Sequence, residues 1–341
     1  MSHGWNATAY QVLNHGIRHW FDSTRCAVAG YVQRGSYLLA VGAPVCDPAI
    51  LARVTQEFEE FARSVGCHVC YVCAGDRMRS LALGSRRHSI VTAGAQPVWM
   101  PSEWRAMVRS RASLRAQLRR ALNRGVAIAD MEPSQAAGHP ELQYVLRKWL
   151  QCRGLPPMHF MAEPEVLRGA VDDRMVLAAR WHGKVVAYLV ASPVAARNGY
   201  LIEEIARLPN APNGASELLI DAAMRRFAEQ GNSYATMGLV ALSRNVSRPN
   251  PFWLSGLMYV ARAHANRFYN FRGIEQFRAK MQPRGWEEIY FISNEANFSP
   301  RALYAIGGAF SGISPIRAIG IAALKAGIRE LRSLRRLAMG R

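Results

Sequence analysis

The sequence contains little lysine, few acidic residues and no long uncharged apolar run. Only four of its 43 basic residues are lysine, and 24 acidic residues leave a formal net charge of +19 over 341 residues. Because half of the residues are hydrophobic, the chain is able to bury a sizeable core in each of about two domains, which excludes a disordered protein. The excess of positive charge favours a polyanionic partner, either a nucleic acid or an anionic membrane surface.

Signals for export and for membrane insertion are also missing. The first residues contain no basic stretch followed by an apolar run, so no secretory signal is expected. The longest uncharged stretch near the C-terminus, 302–316, has 15 residues, fewer than the roughly 20 that a spanning helix needs. The sequence therefore predicts a cytoplasmic protein without a transmembrane helix.

Cysteine is scarce, and three of the six cysteines lie together at Cys67, Cys70 and Cys73. A C-x-x-C spacing is able to hold zinc, but no second pair follows downstream. An apolar strand would also turn residues three positions apart to opposite faces. We therefore interpret this segment as a buried strand without a metal site, and we expect reduced thiols in a cytoplasmic protein.

The hydrophobic pattern predicts the same order of elements in both halves: antiparallel strands, a helix and another strand. This order indicates two similar α/β sandwiches. A small, polar, proline-flanked segment at 132–140 separates them. We expect an N-terminal domain at 1–135, a second domain at 136–300 that carries the site, and a basic tail at 301–341.

Two segments concentrate the positive charge: residues 101–125 carry a net charge of +6, and residues 301–341 carry +7. The first segment predicts a basic helix over 102–123. In the second, apolar residues at three- and four-residue spacing alternate with cations, which is typical of an amphipathic helix in a membrane interface. A helix docked on the protein or a dimerising helix would show the same pattern.

Two segments are distinctive, APNG at 211–214 and YNFRG at 269–273. Further segments of note lie at 40–44, 118–123, 204–207, 237–243 and 277–286. Together these segments resemble the catalytic domain of the phosphatidylglycerol lysyltransferase family, with APNG and YNFRG the most specific. The resemblance covers roughly 21–297, and the membrane-spanning region of the large family members has no counterpart in it.

This resemblance implies a tandem acetyltransferase-like (GNAT-type) α/β fold with mixed sheets, followed by the basic amphipathic C-terminal helix. The implied reaction moves an amino acid from aminoacyl-tRNA to a lipid headgroup hydroxyl, such as that of phosphatidylglycerol, without a cofactor. Because an aminoacyl ester is already activated, the reaction needs a positioned hydroxyl, a proton acceptor and oxyanion stabilisation. The protein is expected at the inner face of the membrane, which it contacts through 301–341.

The matching positions supply the candidate site residues. Glu204 and Arg207 match an Asp–Arg pair of the family and are expected to share one cleft near a strand end, while Ser243 donates a hydrogen bond to substrate. Candidate substrate contacts are Asn213, Gly214, Arg272, Lys280 and Trp286. Candidate contacts to tRNA or lipid phosphates are Arg115, Arg119 and Arg120.

Other interpretations of the same residues stay open. Glu204 and Arg207 also fit a surface salt bridge, and Asn213–Gly214 also fits an ordinary capped turn. An acyl-CoA-dependent N-acyltransferase is disfavoured because the loop at 212–216 has only one glycine. A membrane- or RNA-binding module without catalysis is the third alternative.

Overall fold

The computed structural model describes residues 2–152, 158–162, 166–168, 172–247, 250–256, 258, 271–315, 317 and 320. The strands are β1 Arg18–Phe21, β2 Val28–Arg34, β3 Tyr37–Val41, β4 His68–Ala74, β5 Ser89–Trp99, β6 Ala127–Met131, β7 Met175–Trp181, β8 Lys184–Val194, β9 Gly199–Arg207, β10 Tyr234–Thr236, β11 Val240–Ala241 and β12 Gly285–Ser293. The helices are α1 Leu51–Ser64, α2 Asp76–Leu83, α3 Trp104–Ser110, α4 Ala112–Asn123, α5 Pro133–Ala136, α6 Pro140–Cys152, α7 Ala215–Glu229, α8 Phe271–Lys280 and α9 Pro300–Ser311.

The strands form one mixed sheet in the order β1-β2-β3-β4-β12-β5-β10-β9-β8-β7-β6, with β11 against β5. In the first half, β1, β2 and β3 are antiparallel, α1 follows, and β4 lies parallel to β3. In the second half, β7, β8 and β9 are antiparallel, α7 follows, and β10 lies parallel to β9. The predicted α/β fold with a mixed sheet and the same order of elements in both halves is confirmed.

The two halves share strands at their junction. Strand β12 lies between β4 and β5 and is antiparallel to both, while the far end of β5 pairs with β10. Residues 285–293 therefore complete the sheet of the first half. The domain boundaries at 135 and 300 stay predictions.

The cysteine-rich segment folds as the predicted buried strand, β4. Cys70 packs in the cluster that contains Leu39 on one face of the sheet, and Cys67 packs in the cluster that contains Phe58 on the other. Burial raises the pKa of Cys73 to about 12, which keeps its thiol protonated at neutral pH. Both faces are covered, which explains why the strand is apolar throughout.

The basic segment at 102–123 differs from its prediction, and the apolar run at 302–316 lies partly in the core. The predicted helix over 102–123 is two helices, α3 and α4, because the backbone at Arg111 is extended with ψ of 97°. The apolar run at 302–316 contains most of α9, in which Ala302, Ile306 and Ala309 are buried. Within the described part of the chain, no helix is long and apolar enough to cross a membrane. The predicted basic helix of the tail lies outside the described residues.

Candidate functional site

Strands β9 and β10 diverge in the middle of the second half. They pair only over the three residues of β10, opposite 199–201. Strand β9 then continues to Arg207, whereas the chain after β10 continues along β5 as β11. A gap in the sheet therefore opens beside residues 202–207.

Glu204 lies beside this gap and is buried, with 7% of its surface exposed. It shares a sheet face with Ala206 and Tyr188, and the Tyr188 hydroxyl donates a hydrogen bond to Glu204 Oε1. Burial and the negative charge of Glu204 raise the pKa of Tyr188. Tyr188 therefore stays protonated and fixes the orientation of the Glu204 carboxylate.

Arg207 lies on the opposite face of β9 from Glu204, so the two side chains do not point to the same side of the sheet, and the shared cleft stays a prediction. Arg207 pairs with Ala187 and is exposed, whereas Glu204 pairs with Val190 and is buried. The register shift that the strand pair contains falls between Val190 and Ala191. Because it precedes Glu204, residues 204 and 207 keep the opposite orientations of regular strand positions three apart.

A second acidic residue on the same strand, Glu203, has a buried side chain that no sequence signal had indicated. Arg174 Nε lies 3.2 Å from Glu203 Oε2, with only 2% and 6% of the two side chains exposed. Arg174 also donates to the carbonyl of Val166 at 2.9 Å. The pair ties β9 to the chain before β7.

The APNG loop, which precedes α7, packs against α4, the helix that carries the candidate arginines. Gly214 precedes α7 with φ of +94°, and a Cβ built on it would overlap the carbonyl oxygen of Gln117. Leu118 and Ala121 of α4 are buried in the cluster that also contains α7. Asn213 is exposed at the start of the helix.

Ser243 and Lys280 are both engaged within the protein. Ser243 Oγ donates to Glu275 Oε1 at 2.7 Å and accepts from the Asn245 N–H at 3.1 Å, so it fastens the turn after β11 to α8. Lys280 Nζ lies 3.5 Å from Glu217 Oε1 in the first turn of α7. The predicted roles of Ser243 and Lys280 in substrate binding stay predictions.

The YNFRG segment falls largely outside the described residues. Tyr269 lies outside them, as do the side chains of Phe271 and Arg272. The role of Arg272 as a substrate contact therefore stays a prediction.

Trp286 lines a pocket of about 380 Å³ together with Trp99 and Trp104. Sequence reasoning selected Trp286 but missed the other two, which come from β5 and the start of α3. The pocket lies where the turn after α8 meets α3. Strands β5 and β10 lie between Trp286 on β12 and Glu204 on β9.

The three candidate arginines of α4 differ in their surroundings. Arg115 donates to the carbonyls of Val108 and Arg109 at the end of α3, the first of these at 3.5 Å. Arg119 and Arg120 are exposed, and no described carboxylate forms an ion pair with either. Arg119 and Arg120 are therefore available to an external anion, whereas the Arg115 side chain of α4 is hydrogen-bonded to the end of α3.

Metal ligands do not gather at this site. Across the ranges that the structure describes, no group of three or more His, Cys, Asp or Glu residues is placed to hold a metal ion.

Several solved structures share the fold of this chain. The chain has the fold of the DUF2156 C-terminal domain of an Agrobacterium fabrum protein assigned as a lysylphosphatidylglycerol synthetase, with 22% identity, a TM-score of 0.75, and coverage of 90% of this chain and 93% of that one. L-PGS from Bacillus licheniformis is similar, with 19% identity, a TM-score of 0.72, and coverage of 94% and 92%. FemX matches at 10% identity and a TM-score of 0.55, with coverage of 85% and 90%.

The search of curated proteins finds no match. The model of the family described as phosphatidylglycerol lysyltransferase, C-terminal, matches residues 1–293. The chain therefore belongs to the phosphatidylglycerol lysyltransferase C-terminal domain family.

Proposed function

We propose that this protein transfers an aminoacyl group from aminoacyl-tRNA to the hydroxyl of a lipid headgroup, with phosphatidylglycerol as the first candidate acceptor. Membership of the lysyltransferase family supports the reaction class. The observation that carries the proposal is the buried Glu204 carboxylate, held by Tyr188 beside the gap between β9 and β10.

In the proposed reaction, Glu204 accepts the proton of the lipid hydroxyl as the hydroxyl oxygen attacks the ester carbonyl. The new carbon–oxygen bond gives a tetrahedral intermediate, which collapses by breaking the bond to the terminal ribose of the tRNA. The proton passes from Glu204 to the departing ribose oxygen. One ester replaces another, so the step requires no oxidant, reductant or covalent enzyme intermediate.

The opposite orientations of Glu204 and Arg207 fit a substrate that passes through the gap in the sheet. A substrate that crosses the gap meets Arg207 on one face and Glu204 on the other. We assign Arg207 to binding a phosphate, because guanidinium groups bind phosphate oxygens in a bidentate manner. Neither assignment requires the two side chains to touch.

The direct test is transfer by the purified protein from charged tRNA into vesicles that contain phosphatidylglycerol. The proposal predicts a lipid whose mass has risen by one aminoacyl group, together with loss of the ester from tRNA. Vesicles of phosphatidylcholine alone, which lack the headgroup hydroxyl, are the control. Product from acetyl-CoA but not from charged tRNA would support the acyl-CoA alternative and contradict the proposal.

The exposed arginines of α4 are expected to bind tRNA phosphates. Changing Arg119 and Arg120 together to Gln removes two such contacts, so we expect weaker tRNA binding and a plot of log affinity against log salt concentration that is shallower by about two. The matched control changes Arg86 and Arg87, a second exposed adjacent pair, and leaves the slope unchanged. Equal slopes for all three proteins would remove α4 from the tRNA interface.

A second surface fits the predicted membrane contact. A groove of about 670 Å³ runs between the β2–β3 turn and α9, and most of its lining is apolar. Tyr304 and Ile313 project from it with 48% and 39% of their surface exposed. Exposed Arg34 and Arg301 also line it, which suits an apolar surface that meets anionic headgroups.

Changing Tyr304 and Ile313 together to Ser is expected to weaken binding to vesicles that contain phosphatidylglycerol by about tenfold, because apolar area no longer leaves water on binding. Flotation or sedimentation with the vesicles measures the effect. Leu83→Ser, at an even more exposed apolar position on α2, serves as the control. Unchanged binding of the double variant would exclude this groove as the membrane contact.

A further inference from the structure

The pocket around Trp286 has aromatic walls and a polar rim. Trp99 and Trp104 are buried in its walls, and each indole N–H already has a partner: Trp99 donates to the Met281 carbonyl at 2.9 Å, and Trp104 to Asp221 at 2.8 Å. These indoles therefore offer apolar ring surface and no free donor. At about 380 Å³, the pocket lies in the size range of small-ligand sites.

The rim of the pocket carries hydrogen-bonding groups. Glu103, Gln282 and Arg284 line it and are exposed, and Arg284 Nη1 lies 3.3 Å from Glu103 Oε1. The rim thus offers a carboxylate, an amide and a guanidinium around an aromatic interior. This combination suits a flat heteroaromatic ring with donors and acceptors on its edge, rather than an acyl chain.

Positive charge lies on the same helices that build the pocket. Trp104 and Met107 of α3 line it, while Arg109 and Arg111 at the end of α3 are exposed. Helix α4 continues this surface with Arg119 and Arg120. Aromatic side chains next to a basic surface are the recurring arrangement for single-stranded nucleic acid, in which bases stack and phosphates pair with cations.

We propose that this pocket receives one unpaired nucleobase from the 3′ end of the aminoacyl-tRNA, stacked on Trp286, while the α3–α4 arginines hold the neighbouring phosphates. The inference rests on the proposed function, because it takes tRNA as the donor of the aminoacyl group. It adds that the protein recognises the single-stranded end of the RNA by stacking as well as by charge.

The test compares the binding of two uncharged RNA hairpins, one with an unpaired four-nucleotide 3′ end and one in which that end is removed. Trp286→Ala is expected to weaken binding of the first hairpin by about tenfold and to leave the second unchanged, because base stacking contributes on this scale. The salt dependence should not change, since Trp286 contacts no phosphate. Trp286→Phe should restore most of the affinity.

A second variant guards against a folding defect. Gln282 is exposed and has φ of +46°, so Gln282→Gly removes the amide at a position that suits glycine. It should weaken only the hairpin with the unpaired end. Tyr144→Ala, at an exposed aromatic residue of α6, should affect neither hairpin.

The pocket assignment would be overturned if these variants lost the same affinity for both hairpins. It would also be overturned if Trp286→Ala or Gln282→Gly lost no affinity for the hairpin with the unpaired end. If the unmodified protein binds neither hairpin, the result contradicts the proposed use of tRNA itself. Because the hairpins carry no amino acid, neither outcome depends on catalysis.

Discussion

Glu204→Gln is expected to lower the rate of aminoacyl transfer by about 10²- to 10⁴-fold, the contribution of a positioned general base. The Gln amide oxygen still accepts the hydrogen bond that Tyr188 donates to Glu204, so the fold should be retained. What is lost is the ability to take a proton from the lipid hydroxyl. Single-turnover transfer from charged tRNA to lipid measures the effect, and circular dichroism and thermal unfolding verify the fold.

The neighbouring Glu203 provides the matched control. Its carboxylate is buried against Arg174, and removal of one partner of a buried ion pair costs about 3–5 kcal/mol of stability. Glu203→Gln should therefore lower the free energy of unfolding, while the protein that remains folded transfers at a nearly normal rate. Wild-type turnover in folded Glu204→Gln would remove Glu204 from the chemistry.

Gly214→Ala is expected to lower the free energy of unfolding by roughly 3 kcal/mol. Part of the cost arises because an L-residue at φ of +94° is strained. The rest arises because the added Cβ overlaps the Gln117 carbonyl and forces α4 away from the start of α7. Urea or thermal unfolding measures the loss.

The Gly183→Ala variant separates the backbone strain from the steric overlap. It also has positive φ, at +76°, but a Cβ there would meet nothing within 4 Å. Gly183→Ala therefore reports the backbone cost alone, about 1 kcal/mol. Equal costs at the two glycines would show that α4 does not press on the APNG loop.

The repeated element order could be predicted from the sequence because its signals are local. Strands β7, β8 and β9 have apolar runs bounded by turn residues, and both residues of the His182–Gly183 turn have the positive φ that such turns favour. The order of strands and helices within each half was therefore enough to predict the fold class.

The insertion of β12 between β4 and β5 could not be predicted in this way. Residues 285–293 pair with strands about 190 to 220 positions earlier in the chain. Periodicity identifies such a segment as a strand but does not name its neighbours. For the same reason, Trp99 and Trp104 could not be associated with Trp286.

For the candidate site, the sequence supplied candidate residues but not their orientations. The family resemblance selected Glu204 and Arg207, but their orientations depend on where the strand pair shifts register, at Val190 and Ala191. A shift of one residue moves every later side chain to the other face. Tyr188 was the available clue, since a tyrosine hydroxyl within an apolar strand needs a buried partner.

The most direct test of the proposed function is mass spectrometry of lipid extracts from cells that produce this protein, cells that lack it and cells that produce Glu204→Gln. The proposed function predicts a phospholipid heavier by one aminoacyl residue in the first cells alone. Identical lipid profiles in all three, with folded protein present and charged tRNA available, would contradict it.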